Sequence, residues 1–176
     1  MSKPNPIYER NRLFAFAFDK GSLPLGPSLS TVILTCMDSR VDPAHFASIE
    51  LGEVMTLRNG GGRVTEEIER NLAIIWRLTG RDKPDAPPLE LAIIHHTHCG
   101  MEKLADPAVR GEVGETTGLA ESILQSWAIT DHDQALQDDL ARLRESKLAP
   151  RGLLVSGHIY DIKSGELQSV FDPTPL

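Results

Sequence analysis

The stretch LELAIIHHTHCG, residues 89 to 100, runs from an almost wholly apolar segment straight into three histidines and a cysteine. Leu89 to Ile94 is short and follows the polar, proline-rich connection Arg81 to Pro88, so it reads as a strand buried on both faces. Strands of that kind belong to parallel sheets, and parallel sheets place their ligands in the crevice at their carboxyl ends. His95, His96, His98 and Cys99 stand at that end. The stretch therefore points both to a fold class and to a position for a site.

Working outward, Thr31-Val32-Ile33-Leu34-Thr35 is a second buried run, bounded by Pro27-Ser28 and by the polar Cys36-Met37-Asp38-Ser39-Arg40. Val54 to Leu57 gives another strand, after which Gly60, Gly61 and Gly62 turn the chain. Thr65 caps a helix with Glu66 and Glu67 in its first turn, Ile68, Leu72, Ile75 and Trp76 at helical spacing, and Gly80 at its stop. Pro107 to Gly118 is rich in glycine and charge and reads as surface loop. Leu119, Ile123, Leu124 and Trp127, then Leu136, Leu140 and Leu143, predict one long or two consecutive amphipathic helices. Leu153 to Val155 is a fourth strand, and Leu167 to Phe171 a short edge strand. Strands alternating with helices predict an α/β fold: a mostly parallel sheet of four strands plus the edge strand, with helices on both faces and one domain over residues 1–176. No internal repeat or low-complexity tract interrupts it.

A formal charge of −7 leaves no basic stripe for a phosphate backbone, which argues against a nucleic-acid partner. No run approaches the roughly 20 apolar residues that span a bilayer, and MSKPNPIYERNR is too polar for a secretory signal, so the expected setting is the cytoplasm without membrane attachment. Leu13 to Phe18 reads as a helix packed on a neighbour. The two cysteines, Cys36 and Cys99, are then better read as metal-binding or catalytic than as a disulfide.

Geometry narrows the ligands. Adjacent residues rarely share one tetrahedral ion, which disfavours His98 as a companion to Cys99, whereas the three-residue step from His96 to Cys99 is common in zinc sites. His95 falls on the opposite face of the strand. His95 and His98 are read as pocket residues, and His45, His132 and His158 as ordinary surface or core histidines. Cys36, His96 and Cys99 make three ligands, the pattern of catalytic zinc with a fourth position open to water. In extended chain, Cys36, Asp38 and Arg40 point to one side, so Asp38 can accept a hydrogen bond from that water while Arg40 holds its carboxylate bidentately.

Cys36-x-Asp38-x-Arg40 after the first strand and His96-x-x-Cys99 after the third resemble the β-class carbonic anhydrases. The similarity extends through Ser39-Arg40-Val41, Leu51 to Val54, Arg58 to Gly61 and His96 to Met101, covering residues 8 to 105 well and the remainder loosely. The resemblance implies a zinc enzyme that interconverts carbon dioxide and bicarbonate by attack of zinc-bound hydroxide, built as a homodimer or a dimer of dimers. It also implies two states for Asp38, either closing the zinc site as a fourth ligand or pairing with Arg40 while water binds. His98, where relatives often carry Asp or Gly, and the Gly60-Gly61-Gly62-Arg63 run depart from the family pattern and leave the pocket wall open. The compact microbial branch is similar to carbonyl sulfide hydrolases as well, which makes carbonyl sulfide the alternative substrate.

Three rivals fit less well. Gly60 to Gly62 lacks the G-x-G-x-x-G spacing of a dinucleotide loop. A cysteine phosphatase would need an arginine at position 42, where this chain has Asp42. A non-enzymatic zinc protein would need Asp38 to fill the fourth position permanently.

Overall fold

The computed structural model describes residues 5–176; Met1 to Pro4, the start of the polar N-terminal stretch, lie outside the described residues. Five strands form one sheet: β1 (Thr31–Cys36), β2 (Val54–Asn59), β3 (Glu90–His96), β4 (Leu154–Tyr160) and β5 (Leu167–Pro175). Their order is β2-β1-β3-β4-β5, with the first four parallel and β5 antiparallel to β4. The sheet is therefore the mostly parallel one expected, with a longer edge strand.

Six α-helices accompany it among the described residues: α1 (Pro6–Phe16), α2 (Pro43–Phe46), α3 (Glu66–Leu78), α4 (Pro107–Thr117), α5 (Glu121–Trp127) and α6 (His132–Glu145). Thr65 caps α3 through a bond from the Ile68 N–H, and the sequence Glu66-Glu67 suits the positive end of the helix. Ile68 and Leu72 of α3 and Leu136, Leu140 and Leu143 of α6 pack on Val32, Leu34, Leu91, Ile93 and Val155, the alternate positions of one sheet face. Each such side chain contributes about 1.5–3 kcal/mol on burial. The opposite face, with Ile33, Ala92 and Ile94, is met by the single-turn α2 through Phe46, which stacks on Tyr160. Helices thus lie on both faces, unequally.

Two expectations fail. The apolar stretch from Leu13 enters a helix that ends at Phe16 and packs on no neighbouring element among the described residues, burying none of its side chains. The segment read as loop from Pro107 to Gly118 is α4, N-capped by Asp106 with proline in its first turn and closed by Gly118 in the left-handed conformation. Those end signals outweigh the low helix propensity of Gly111, which faces open space, and of Gly114, where a Cβ would meet the Leu119 carbonyl oxygen at 3.3 Å. The region 119–143 resolves into two helices rather than one.

Topology decides where a site can form. The chain leaves β1 for β2 on one side and returns to β3 on the other, so the connections diverge between β1 and β3. The carboxyl ends of those two strands flank the crevice that results.

Candidate metal centre

β1 ends at Cys36 and β3 at His96, and the parallel register pairs Thr35 with Ile94, so both strand ends stand level at the crevice. Beyond β3 the chain reverses at His98, whose φ of 56° is left-handed, and delivers Cys99 back over the strand end. Cys36, His96 and Cys99 are all buried, and their donor atoms lie within 4.8 Å of one another. The two sulfurs are 3.8 Å apart.

The remaining candidates separate. The His95 ring is buried on the other side of the strand, with Nε2 3.5 Å from Asp139 Oδ2, and burial pushes its pKa down. His98 is exposed; its carbonyl, rather than its ring, engages the site by accepting a bond from Arg40. His45 is exposed, and His158 is bonded to Ser156 on another part of the sheet.

The donors are chemically prepared for a cation. His96 Nδ1 donates to the Thr97 carbonyl at 3.0 Å, which places the proton there and leaves the lone pair on Nε2. Nε2 is buried without a hydrogen-bond partner. Such an orphan atom costs free energy unless something occupies its lone pair. The hydrogen bond shared by the two sulfurs, either of which can donate, pulls the Cys36 pKa down, helped by His96 and by the Asp38 and Gly61 N–H groups, while the same pairing and burial push Cys99 up. The pairing favours loss of a proton from the two sulfurs, toward the thiolate form in which cysteine binds metal. Two sulfurs and an unpaired imidazole nitrogen fit a borderline-soft ion such as zinc.

Beside this cluster lies Asp38, its Oδ2 4.0 Å from His96 Nε2. Arg40 grips the carboxylate bidentately, NH2 to Oδ2 at 2.6 Å and Nε to Oδ1 at 3.0 Å, and the Arg40 backbone N–H adds a third bond. These side-chain bonds, before any other cause, hold the Asp38 carboxyl well below the usual carboxylate range. Arg40 also reaches the His98 carbonyl, so one guanidinium ties the β1 loop to the β3 loop.

Several supporting residues escape a reading by motif. Arg58 donates to the carbonyls of Cys36, Asp38 and Val41, which makes it the clamp of the loop after β1. Asn59 closes the glycine turn reciprocally, accepting from Arg63 N and donating to Arg63 O. Arg63 is buried and paired with Asp139, which also accepts the Val64 N–H. Only Arg58-Asn59 carried a local signal, as the polar end of a strand before a glycine run. His132 differs from the expectation of an ordinary histidine: its Nε2 lies 3.1 Å from Glu102 Oε1, and Glu102 accepts the Cys99 N–H.

The glycine run has a steric reason. Gly61 donates its N–H to Cys36 Sγ, and Gly62, at φ 69°, lies so close to β1 that a Cβ would meet Thr35 C at 2.9 Å and Cys36 N at 3.0 Å. Those are backbone atoms, which cannot swing aside. Gly62→Ala is expected to destabilise the protein by about 2 kcal/mol or more, combining left-handed strain with displacement of Cys36. Urea unfolding of the variant reads it; an unchanged midpoint would mean the loop can shift freely.

The chain is similar to known proteins over most of its length. The carbonic anhydrase family profile matches residues 31–167. Beta-carbonic anhydrase 1 of Mycobacterium tuberculosis is 32% identical over 154 residues, 86% of this chain and 88% of the relative. Carbon disulfide hydrolase of Acidianus sp. is 23% identical over 159 residues, 77% of this chain and 74% of that protein. Among solved structures, the carbonic anhydrase of Streptococcus mutans superposes with a TM-score of 0.81 at 29% identity, covering 97% of this chain and 99% of its own.

Proposed function

The chain belongs to the β-carbonic anhydrase family, and from that premise we propose that it is a zinc lyase interconverting carbon dioxide and bicarbonate. Cys36 Sγ, His96 Nε2 and Cys99 Sγ would hold the ion, as their convergence and the orphaned imidazole nitrogen support. When bound, zinc supplies a Lewis acid that makes water a competent nucleophile near neutral pH.

The chain's own part rests on one observation: Asp38 is gripped bidentately by Arg40, which holds its carboxyl well below the usual carboxylate range, and its Oδ2 stands beside the cluster, 4.0 Å from His96 Nε2. A carboxylate is an acceptor only, so Asp38 Oδ2 can take a hydrogen bond from the attacking water and turn an oxygen lone pair toward carbon. Arg40 keeps that acceptor charged and in place. The same grip argues against a permanently closed site in which Asp38 is a fourth ligand, although release of Arg40 would allow that state.

Hydrolysis of a sulfur analogue is the second reading. The Acidianus relative, named for carbon disulfide, favours it, and carbonyl sulfide stands between the two as a linear molecule with one sulfur. Purified, zinc-loaded protein should hydrate carbon dioxide far faster than it releases sulfide from carbonyl sulfide or carbon disulfide. Sulfide release without measurable hydration would transfer the function to the second reading.

A cytoplasmic setting and a single functional unit over residues 1–176 are part of the proposal; no helix among the described residues is long and apolar enough to cross a membrane. Assembly into a homodimer or a dimer of dimers is supported by α1, which buries none of its side chains although Leu13, Phe14 and Phe16 are 66%, 53% and 95% exposed. A second copy of the chain is the natural cover for the apolar end of this helix, Leu13 to Phe16.

A further inference from the structure

We infer that Glu102 and His132 form a positioning pair that sets the place of Cys99, an inference that rests on Cys99 being a metal ligand. Cys99 is the only one of the three donors outside a strand, and it follows a left-handed residue. Its backbone is therefore not held by sheet bonds. What holds it is the 3-10 turn over Gly100–Ala105, for which Cys99 is the N-cap: its N–H donates to Glu102 Oε1 at 2.8 Å, and the Glu102 N–H donates back to the Cys99 carbonyl at 3.1 Å.

A glutamate side chain that is 38% exposed would ordinarily exchange such a bond with water. Here the same Oε1 also faces His132 Nε2 at 3.1 Å, and the His132 side chain is only 17% exposed. His132 is the first residue of α6, whose Leu136, Leu140 and Leu143 are anchored in the main core. Its ring is further confined edge-on against the buried His95, with centroids 5.7 Å apart. A bond from Ile129 N to Met101 O runs parallel to this link. The one donor outside the sheet is thus tied through two side chains to a helix anchored in the core, and the adjoining cavity of about 500 Å³, lined in part by His98, Glu102, Ile129 and His132, offers room for the turn to move if the tie is cut.

A tie of this kind acts through Cys99 and touches neither substrate nor reacting atoms. Cutting it should let Cys99 Sγ drift from Cys36 Sγ and His96 Nε2. The expected consequence is a loss of about 10–100-fold in zinc affinity, the usual effect of removing a group that orients a ligand.

The test is competition between zinc-loaded protein and a chromogenic chelator, for wild type, Glu102→Ala, His132→Phe, Glu102→Gln and Cys99→Ser. His132→Phe keeps the ring against His95 and removes the N–H, so it remains informative if Glu102→Ala folds poorly. Zinc affinity should fall in Glu102→Ala and His132→Phe, be largely rescued in Glu102→Gln, which retains an acceptor, and the cobalt-substituted variants should show altered thiolate-to-metal absorption. Wild-type affinity and an unchanged cobalt spectrum in His132→Phe would overturn the pair, even if the melting temperature fell. Wild-type affinity in Cys99→Ser would instead overturn the ligand assignment beneath it.

Discussion

His96→Ala is expected to retain less than about half an equivalent of zinc after purification, and Cys36→Ser and Cys99→Ser are expected to behave alike. Each substitution leaves two protein donors where a tetrahedral ion needs three and a solvent position. Removing His96 also deletes the nitrogen whose lone pair has no other partner. Hydration of carbon dioxide should fall by more than about 100-fold, since changes merely behind a ligand already cost 10–100-fold. His98→Ala should keep its metal, because that ring is exposed and only the backbone carbonyl meets Arg40. Elemental analysis with a parallel activity assay decides the matter, and a reversal between His96 and His98 would mean that the turn after β3 presents the other histidine.

Arg40→Ala should keep zinc and lose turnover by about 10²–10⁴-fold, the range that a positioned proton acceptor supplies. Without its guanidinium the Asp38 carboxylate loses both side-chain bonds at once, and it stands 4.0 Å from His96 Nε2, near enough to turn toward the cluster. Arg40→Lys should recover little, because an ammonium cannot reproduce the bidentate fork. The pair also has a pH signature. Asp38 is depressed in the folded protein, chiefly by Arg40, so its contribution to stability is present above its unfolded pKa and is lost as pH falls through the folded one. The stability difference between wild type and Arg40→Ala should accordingly shrink in strong acid. Near-normal hydration by Arg40→Ala would remove the pair from the mechanism.

Local pattern carries a good deal of this molecule. The buried runs at Thr31 and Leu89 are legible as strands because burial on both faces demands continuous apolar side chains, and Thr65 is legible as a cap because its hydroxyl can satisfy only a helix N–H there. The region after Cys99 was harder. Asp106, Pro107 and Gly118 are sound helix-end signals, yet the glycines and charges between them match loop composition equally well; the end signals prevail in a helix that lies beside α5 and buries none of its side chains.

The sequence by itself determined the fold class and the identity and order of the side chains that gather at the crevice. Donor type and short spacing are local properties, so Cys36, Asp38, Arg40, His96 and Cys99 are visible without coordinates. That Nε2 is the unpaired nitrogen of His96, that the two sulfurs share a hydrogen bond, and what holds each donor still are set by tertiary structure alone. Arg63 meets Asp139 across 76 residues and Glu102 meets His132 across 30, while Gly62 is required by the backbone of a strand 26 residues before it. No periodicity records such partners, because each is selected by where the packed sheet and helices bring two distant segments together, and by the cost of leaving a buried polar group alone there.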